Sequence, residues 1–257
     1  SDRPDHTPMQ SPHFLIIGTQ KGGTSSLYSA LCQHPQVLKA DRKEVHFFDQ
    51  HYGRDHDWYL KQFPHCHEGF ITGEASPFYM AHPLAAQRIV EHCPETKLIV
   101  LLRNPADRAI SHYHQEFRRH HDRLTLQAAL EVEEERTRAD WDALAAGHLL
   151  TFSAAQRFSY RRRGHYAEQL TPFMQRFPRT NIAIYSSEYF FQQPFSMLPE
   201  LYNFLGIDPG FRPTDLWPRK PGHYGEADQG IRNELLQYYQ PLNEKLFRLI
   251  DQRFDWS

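Results

Sequence analysis

What this chain lacks narrows its possible functions first. Three cysteines in 257 residues (Cys32, Cys66, Cys93) cannot build a disulfide framework, and their spacing matches no zinc motif. That scarcity points to a reducing compartment. No window approaches eighteen consecutive apolar residues, so no transmembrane helix is expected and no membrane partner. The opening Ser1-Asp-Arg-Pro-Asp-His6 has no signal-peptide core. A formal charge of −2 provides no global basic field for nucleic acid or membrane, so any polyanion site must be a local patch. Repeats and low-complexity linkers are absent, which leaves a single domain over residues 13–257 behind a short linker at 1–12. Histidine is abundant, at seventeen. Neither His65-Cys66-His67 nor the His112/His114 pair has the i, i+4 spacing of a zincin, so no metal site is assigned.

Against these absences stands Phe14-Leu-Ile-Ile-Gly-Thr-Gln-Lys-Gly-Gly-Thr-Ser-Ser-Leu-Tyr28. Phe14 to Ile17 read as a buried strand, Gly18 to Gly23 as a loop with three glycines and Lys21, and Thr24-Ser25-Ser26 as the opening of a helix to about Cys32. A strand, a glycine loop and a helix N-terminus in that order make an anion cradle. Glycines let backbone N–H groups approach a phosphate, and the helix dipole adds to the attraction. The loop is P-loop-like without being a Walker A motif, because Lys21 precedes the glycine pair and no lysine separates Gly23 from Thr24.

Further along, apolar runs alternate with amphipathic stretches, which predicts an α/β fold with a mainly parallel central sheet flanked by helices. Strands are expected at Phe70–Glu74, Lys97–Leu102 and Asn181–Tyr185. Helices are expected at Pro83–His92, from Asn104-Pro105 to about Arg119, and over roughly 124–147, 154–177, 195–205 and 228–252. A Pro/Gly-rich loop covers Asp208–Gly225. Arg103 directly follows the Lys97–Leu102 strand, and Ser111 lies eight residues on. Ligands of open α/β sheets bind at the carboxyl ends of strands, so an arginine fork and a hydroxyl there suit a second phosphate. A magnesium-dependent P-loop enzyme would place an acidic residue at such a strand end. Glu44 and His46 pair a carboxylate with an imidazole beside Phe47-Phe48, apolar neighbours expected to raise the Glu44 pKa. Three classes stay open on these residues: a group-transfer enzyme using a bisphosphorylated nucleotide, a P-loop kinase or nucleotidase, and a non-catalytic nucleotide-binding module.

Lys21-Gly-Gly-Thr24, Glu44-Val-His-Phe-Phe-Asp49, Glu74-Ala-Ser-Pro77, Leu101-Leu-Arg-Asn-Pro105 with Ser111, Arg163-Gly-His-Tyr166 and Phe254-Asp-Trp256 together resemble the sulfotransferases that use 3′-phosphoadenosine 5′-phosphosulfate (PAPS). The heparan sulfate glucosaminyl N- and 3-O-sulfotransferases and their bacterial relatives are the nearest branch. The resemblance implies that Lys21 and the backbone of Gly22, Gly23, Thr24 and Ser25 hold the 5′-phosphosulfate. It implies that Arg103 and Ser111 bind the 3′-phosphate, that Tyr166 lines the nucleotide site, and that Lys220 supplies a late-loop phosphate contact. Glu44 matches the catalytic base and His46 its orienting neighbour. The product is adenosine 3′,5′-bisphosphate (PAP), and no metal is needed. The acceptor is a hydroxyl, less readily an amine, on a carbohydrate or on a β-hydroxyacyl chain presented by an acyl carrier protein. Ala75 replaces the lysine of the heparan enzymes, and no cysteine follows Cys93. With the near-neutral pI, these departures favour a cytoplasmic bacterial enzyme, or a domain of a larger synthase, over a Golgi enzyme acting on a polyanionic sugar.

Overall fold

The computed structural model describes residues 9–216 and 224–257. Among the described residues five strands lie in one sheet: β1 (Phe14–Gly18), β2 (Val37–Lys39), β3 (Ile71–Ala75), β4 (Lys97–Leu102) and β5 (Ile182–Ser186). Their order is β2-β3-β1-β4-β5 and every pairing is parallel. The central strands are apolar on both faces because helices cover both. Leu15, Ile17, Leu98, Val100 and Leu102 enter one core, while Phe14, Ile16, Ile99 and Leu101 enter the other. That division follows the two-residue alternation of strand side chains.

The helices are α1 (Thr24–Gln33), α2 (His56–Leu60), α3 (Ala85–His92), α4 (Pro105–Arg118), α5 (Leu126–Glu131), α6 (Glu133–Ala145), α7 (Ala154–Phe158), α8 (Tyr166–Arg176), α9 (Ser187–Gln192), α10 (Pro194–Leu205) and α11 (Glu226–Ile250). Asn104 caps α4 by accepting from the Ala106 N–H, with Pro105 in the first turn. Among the described residues no helix is long and apolar enough to cross a membrane.

Two helices expected to be continuous are broken. The 124–147 stretch divides at Val132 into α5 and α6, and the Glu133 carboxylate turns inward to accept the N–H groups of Arg161 and Arg162 at 2.7 and 3.0 Å. The 154–177 stretch is interrupted by a 3-10 turn at Arg162–Gly164, where a side chain on Gly164 would meet the Tyr239 hydroxyl at 2.6 Å. The short β2, α2 and α9 have no counterpart in the sequence-based expectation.

The strand order positions the site. From β1 the chain crosses to β2 and β3 on one side, then returns past β1 to β4 and β5. The loops after β1 and β4 therefore diverge next to each other and leave a crevice at the carboxyl edge. Lys21 lies in the first loop and Arg103 at the start of the second.

Candidate active site

A cavity of about 1060 Å³ occupies this crevice, lined by Gln20, Lys21 and Gly23 of the loop, the first turn of α1, Lys43, Glu44, His46, Arg103, Ser111 and Arg163 among others, but not by Gly22. The loop after β1 is held by its own backbone. The Thr19 N–H donates to the Leu101 carbonyl at 2.9 Å and the Gly22 N–H to the Thr19 carbonyl at 2.9 Å. Gly22 has no room for a side chain, since a Cβ there would lie 2.7 Å from the Leu101 oxygen. Lys21 and Gly23 both adopt left-handed backbone, with φ of 64° and 97°. No side chain caps α1, so its first N–H groups are left for a ligand. Of the backbone donors expected from the sequence, the Gly22 N–H is thus engaged within the loop. Lys21 Nζ donates to Gln115 Oε1 at 2.9 Å, and Arg103 Nη1 donates to the Lys21 carbonyl at 3.2 Å. Arg103 and Ser111 both line the cavity.

The second wall carries a hydrogen-bonded relay of two carboxylates and an imidazole. His46 lies between two carboxylates, with Nε2 3.0 Å from Glu44 Oε2 and Nδ1 2.9 Å from Asp49 Oδ2. Burial opposes a charge on this imidazole, but the two carboxylates outweigh it and raise the pKa from 6.5 to about 10. His46 is therefore an imidazolium at neutral pH. Burial alone would raise Glu44, yet the hydrogen bond and charge of His46, with Lys43, hold it below the usual carboxylate value. This corrects the expectation of a raised Glu44. Phe47 and Phe48 are 1% and 0% exposed and pack into the core, so the imidazolium, and not an apolar wall, sets the character of the carboxylate.

A buried carboxylate fixes the segment that carries the relay. The Val45 N–H donates to Glu74 Oε2 at 3.2 Å, the His46 N–H to Ser76 Oγ at 3.1 Å, and the Phe47 N–H to the Tyr79 hydroxyl at 2.9 Å. Ser76, Tyr79 and Tyr59 in turn donate to Glu74 at 2.5, 2.7 and 3.2 Å. These bonds hold three successive amides and keep His46 at a φ of 55°. Burial raises Glu74 to about 6 against the pull of its donors. Glu74 and Ser76 belong to a motif quoted from the sequence, which gave no hint of this task. A glutamate inside an apolar strand was the available signal, as was the i, i+3 spacing of His46 and Asp49.

Tyr166 departs from its expected place. It is 2% exposed, is not among the residues lining the cavity, and donates its hydroxyl to the Arg103 carbonyl at 2.6 Å. It positions the Arg103 turn from behind. Trp256 does the same from the other side: its Nε1–H donates to Glu188, whose other oxygen accepts the Asn104 N–H. Lys220 lies outside the described residues.

The charge of the cleft reverses that of the chain. Lys21, Lys43, Arg103, Arg118, Arg119 and Arg163 line it against the carboxylates of Glu44 and Asp228. The near-neutral total therefore conceals a basic groove.

Comparison with known proteins agrees with this geometry. The chain is 27% identical to the membrane-associated sulfotransferase kil1 of Dictyostelium discoideum, over 96% of this chain and 66% of the relative. It is 31% identical to the human heparan sulfate glucosamine 3-O-sulfotransferase 6, over 96% of this chain and 74% of that protein. The chain thus spans about two thirds to three quarters of the length of these relatives. Among solved structures, a sulfotransferase from Alicyclobacillus acidocaldarius superposes with a TM-score of 0.78 at 30% identity, covering 96% of this chain and 99% of the other. The sulfotransferase domain family itself matches residues 11–215. With the anion loop after β1, the arginine after β4 and the carboxylate wall between them, the chain belongs to the sulfotransferase family.

Proposed function

We propose that this enzyme transfers the sulfuryl group of PAPS to a hydroxyl on an anionic acceptor. The observation that carries the reading is the meeting of the Lys21 loop and the Glu44–His46–Asp49 relay on one cleft. Lys21 and the first turn of α1 would hold the 5′-phosphosulfate, and Arg103 with Ser111 the 3′-phosphate. The donor supplies an activated sulfuryl group and a phosphate leaving group. Lys21 stabilises negative charge as it grows on that phosphate oxygen. Glu44, kept ionised by His46, accepts the proton of the attacking hydroxyl. His46 cannot serve as base while it is an imidazolium, so it orients Glu44 and steadies its charge.

The acceptor is the finer question. Arg118 and Arg119 stand at the exposed end of α4 and line the cleft, beyond the two residues assigned to the 3′-phosphate. Unused cations at the mouth suit an acidic hydroxyl compound. This favours an anionic saccharide, in keeping with the heparan sulfate relative, over a carrier-bound β-hydroxyacyl chain, which stays the second acceptor class to test. One sulfotransferase domain over 13–257 in a reducing, cytoplasmic bacterial setting fits the three free thiols. Incubation with radiolabelled PAPS and a panel of acidic saccharides, neutral saccharides and β-hydroxyacyl carrier substrates tests the proposal. Label should pass to the acidic saccharides, and transfer to none of them would refute this acceptor class.

A further inference from the structure

Two guanidinium groups lie at and behind the floor of the cleft, and no carboxylate among the described residues pairs with either. Arg108 is 0% and Arg163 2% exposed. The arginine ion pairs among the described residues are those of Arg136, Arg138, Arg232 and Arg253. Both terminal nitrogens of Arg108 meet neutral acceptors, Nη1 donating to Gln20 Oε1 at 3.1 Å and Nη2 to the carbonyls of Ser159 and Tyr160, although its Nε has no partner among the described residues. Arg163 makes a single such bond among the described residues. Its Nη1 donates to the Gln156 carbonyl at 3.2 Å, its Nε finds no partner, and its guanidinium packs 5.0 Å over the Phe78 ring while lining the cleft. Burial and the repulsion of Arg108 depress its pKa to about 9. A desolvated cation with unused donors is costly, and an incoming anion relieves that cost.

We propose that Arg163 receives the sulfuryl oxygens of the donor, as a third anion subsite beside those for the 5′- and 3′-phosphates. This rests on the donor assignment above. Position selects the sulfuryl group over an acceptor anion. Arg163 and Phe78 line the same cleft as Glu44 and His46, and Gln156, whose carbonyl holds Arg163, accepts at Oε1 from Nε2 of Gln50, the neighbour of Asp49, at 3.3 Å, so the arginine flanks the relay. A group in transfer must lie between the Lys21 loop and Glu44. A side chain that is 2% exposed and pinned by Gln156 and Phe78 reaches only a group brought to the floor at a fixed place. A fork of N–H donors also matches the oxygens of a sulfonate. In the transfer, the acceptor oxygen forms a bond to sulfur and the bond from sulfur to the 5′-phosphate oxygen breaks. The hydroxyl proton passes to Glu44 and PAP departs. The sulfuryl oxygens leave Arg163 with the sulfated product, so this residue distinguishes loaded donor from spent PAP.

The test compares PAPS and PAP binding by calorimetry, without acceptor, in wild type and Arg163→Met, together with the acceptor KM. PAPS affinity should fall roughly tenfold or more, as for loss of a charge-assisted bond, while PAP affinity stays within about twofold of wild type. Equal losses for both nucleotides would place Arg163 on a phosphate. Unchanged PAPS affinity with a raised acceptor KM would place it on the acceptor. Either result overturns the subsite alone. Wild type binding neither nucleotide would overturn the donor assignment, and the subsite with it. If Arg163→Met does not fold, Arg163→Lys keeps the charge and loses the fork. It should weaken PAPS severalfold and spare PAP, and equal PAPS affinity would overturn the proposal.

Discussion

Replacing Glu44 with glutamine tests the relay through both its chemistry and its electrostatics. His46 is held at 3.0 and 2.9 Å between Glu44 and Asp49, and its pKa rises from 6.5 to about 10 despite burial, because the bonds and charges of both carboxylates prevail. That rise corresponds to roughly 5 kcal/mol. The two carboxylates do not share it equally. The Asp49 side chain is 1% exposed and that of Glu44 37%, so solvent screens Glu44 more strongly and its share must be discounted. Glu44→Gln should therefore leave His46 between 6.5 and about 10, and Asp49→Asn should lower it further, as read by NMR titration of the imidazole. Activity should rank the other way. Glu44→Gln removes the proton acceptor and should lower kcat by roughly 10²–10⁴-fold with PAP affinity unchanged, whereas Asp49→Asn and His46→Asn should cost less. Because the folded pKa of His46 lies above its unfolded value, the relay stabilises the fold fully below about pH 6.5 and loses that contribution as pH rises through about 10. The stability difference between wild type and Asp49→Asn should shrink across that window. Activity surviving Glu44→Gln but vanishing in His46→Asn would make the imidazole the base. An unmoved His46 titration in both carboxylate variants would refute the electrostatic argument.

Other outcomes follow from the two anion sites and the buried glutamate. Lys21→Ala should lower kcat by about 10²-fold or more while raising the donor KM less, because the leaving oxygen gains charge toward the transition state; a pure KM effect in steady-state kinetics would make Lys21 a binding residue only. PAP should bind roughly tenfold or more tightly than AMP without added metal, and equal affinities by calorimetry would remove Arg103 and Ser111 from the 3′-phosphate. Glu74→Ala leaves the Ser76, Tyr79 and Tyr59 hydroxyls and the Val45 amide without their acceptor, so urea unfolding should show a loss of about 2–4 kcal/mol. A wild-type midpoint would mean that Glu74 does not hold the relay segment.

The sequence determined this protein wherever the physics is local. The β1–loop–α1 cradle was legible because an apolar run, three glycines and a hydroxyl-rich helix start act over neighbouring residues. The β4 strand and its Asn104-Pro105 stop were legible for the same reason. The parallel sheet followed from strand and helix alternation. Only the tertiary structure decided what depends on distant partners. Glu44 is held low by His46 although Phe47 and Phe48 adjoin it in sequence, because a turn sends the aromatic pair into the core and the imidazolium to the carboxylate. Tyr166 lies behind Arg103, Glu74 reaches three amides' worth of distant loop through its own bonds and those of Ser76 and Tyr79, and Gln115 meets Lys21 from 94 residues away. A chain with a net charge of −2 sets six of its 29 lysines and arginines around one groove that holds two carboxylates. Composition sums charge over the whole chain, and folding decides where in space that charge acts.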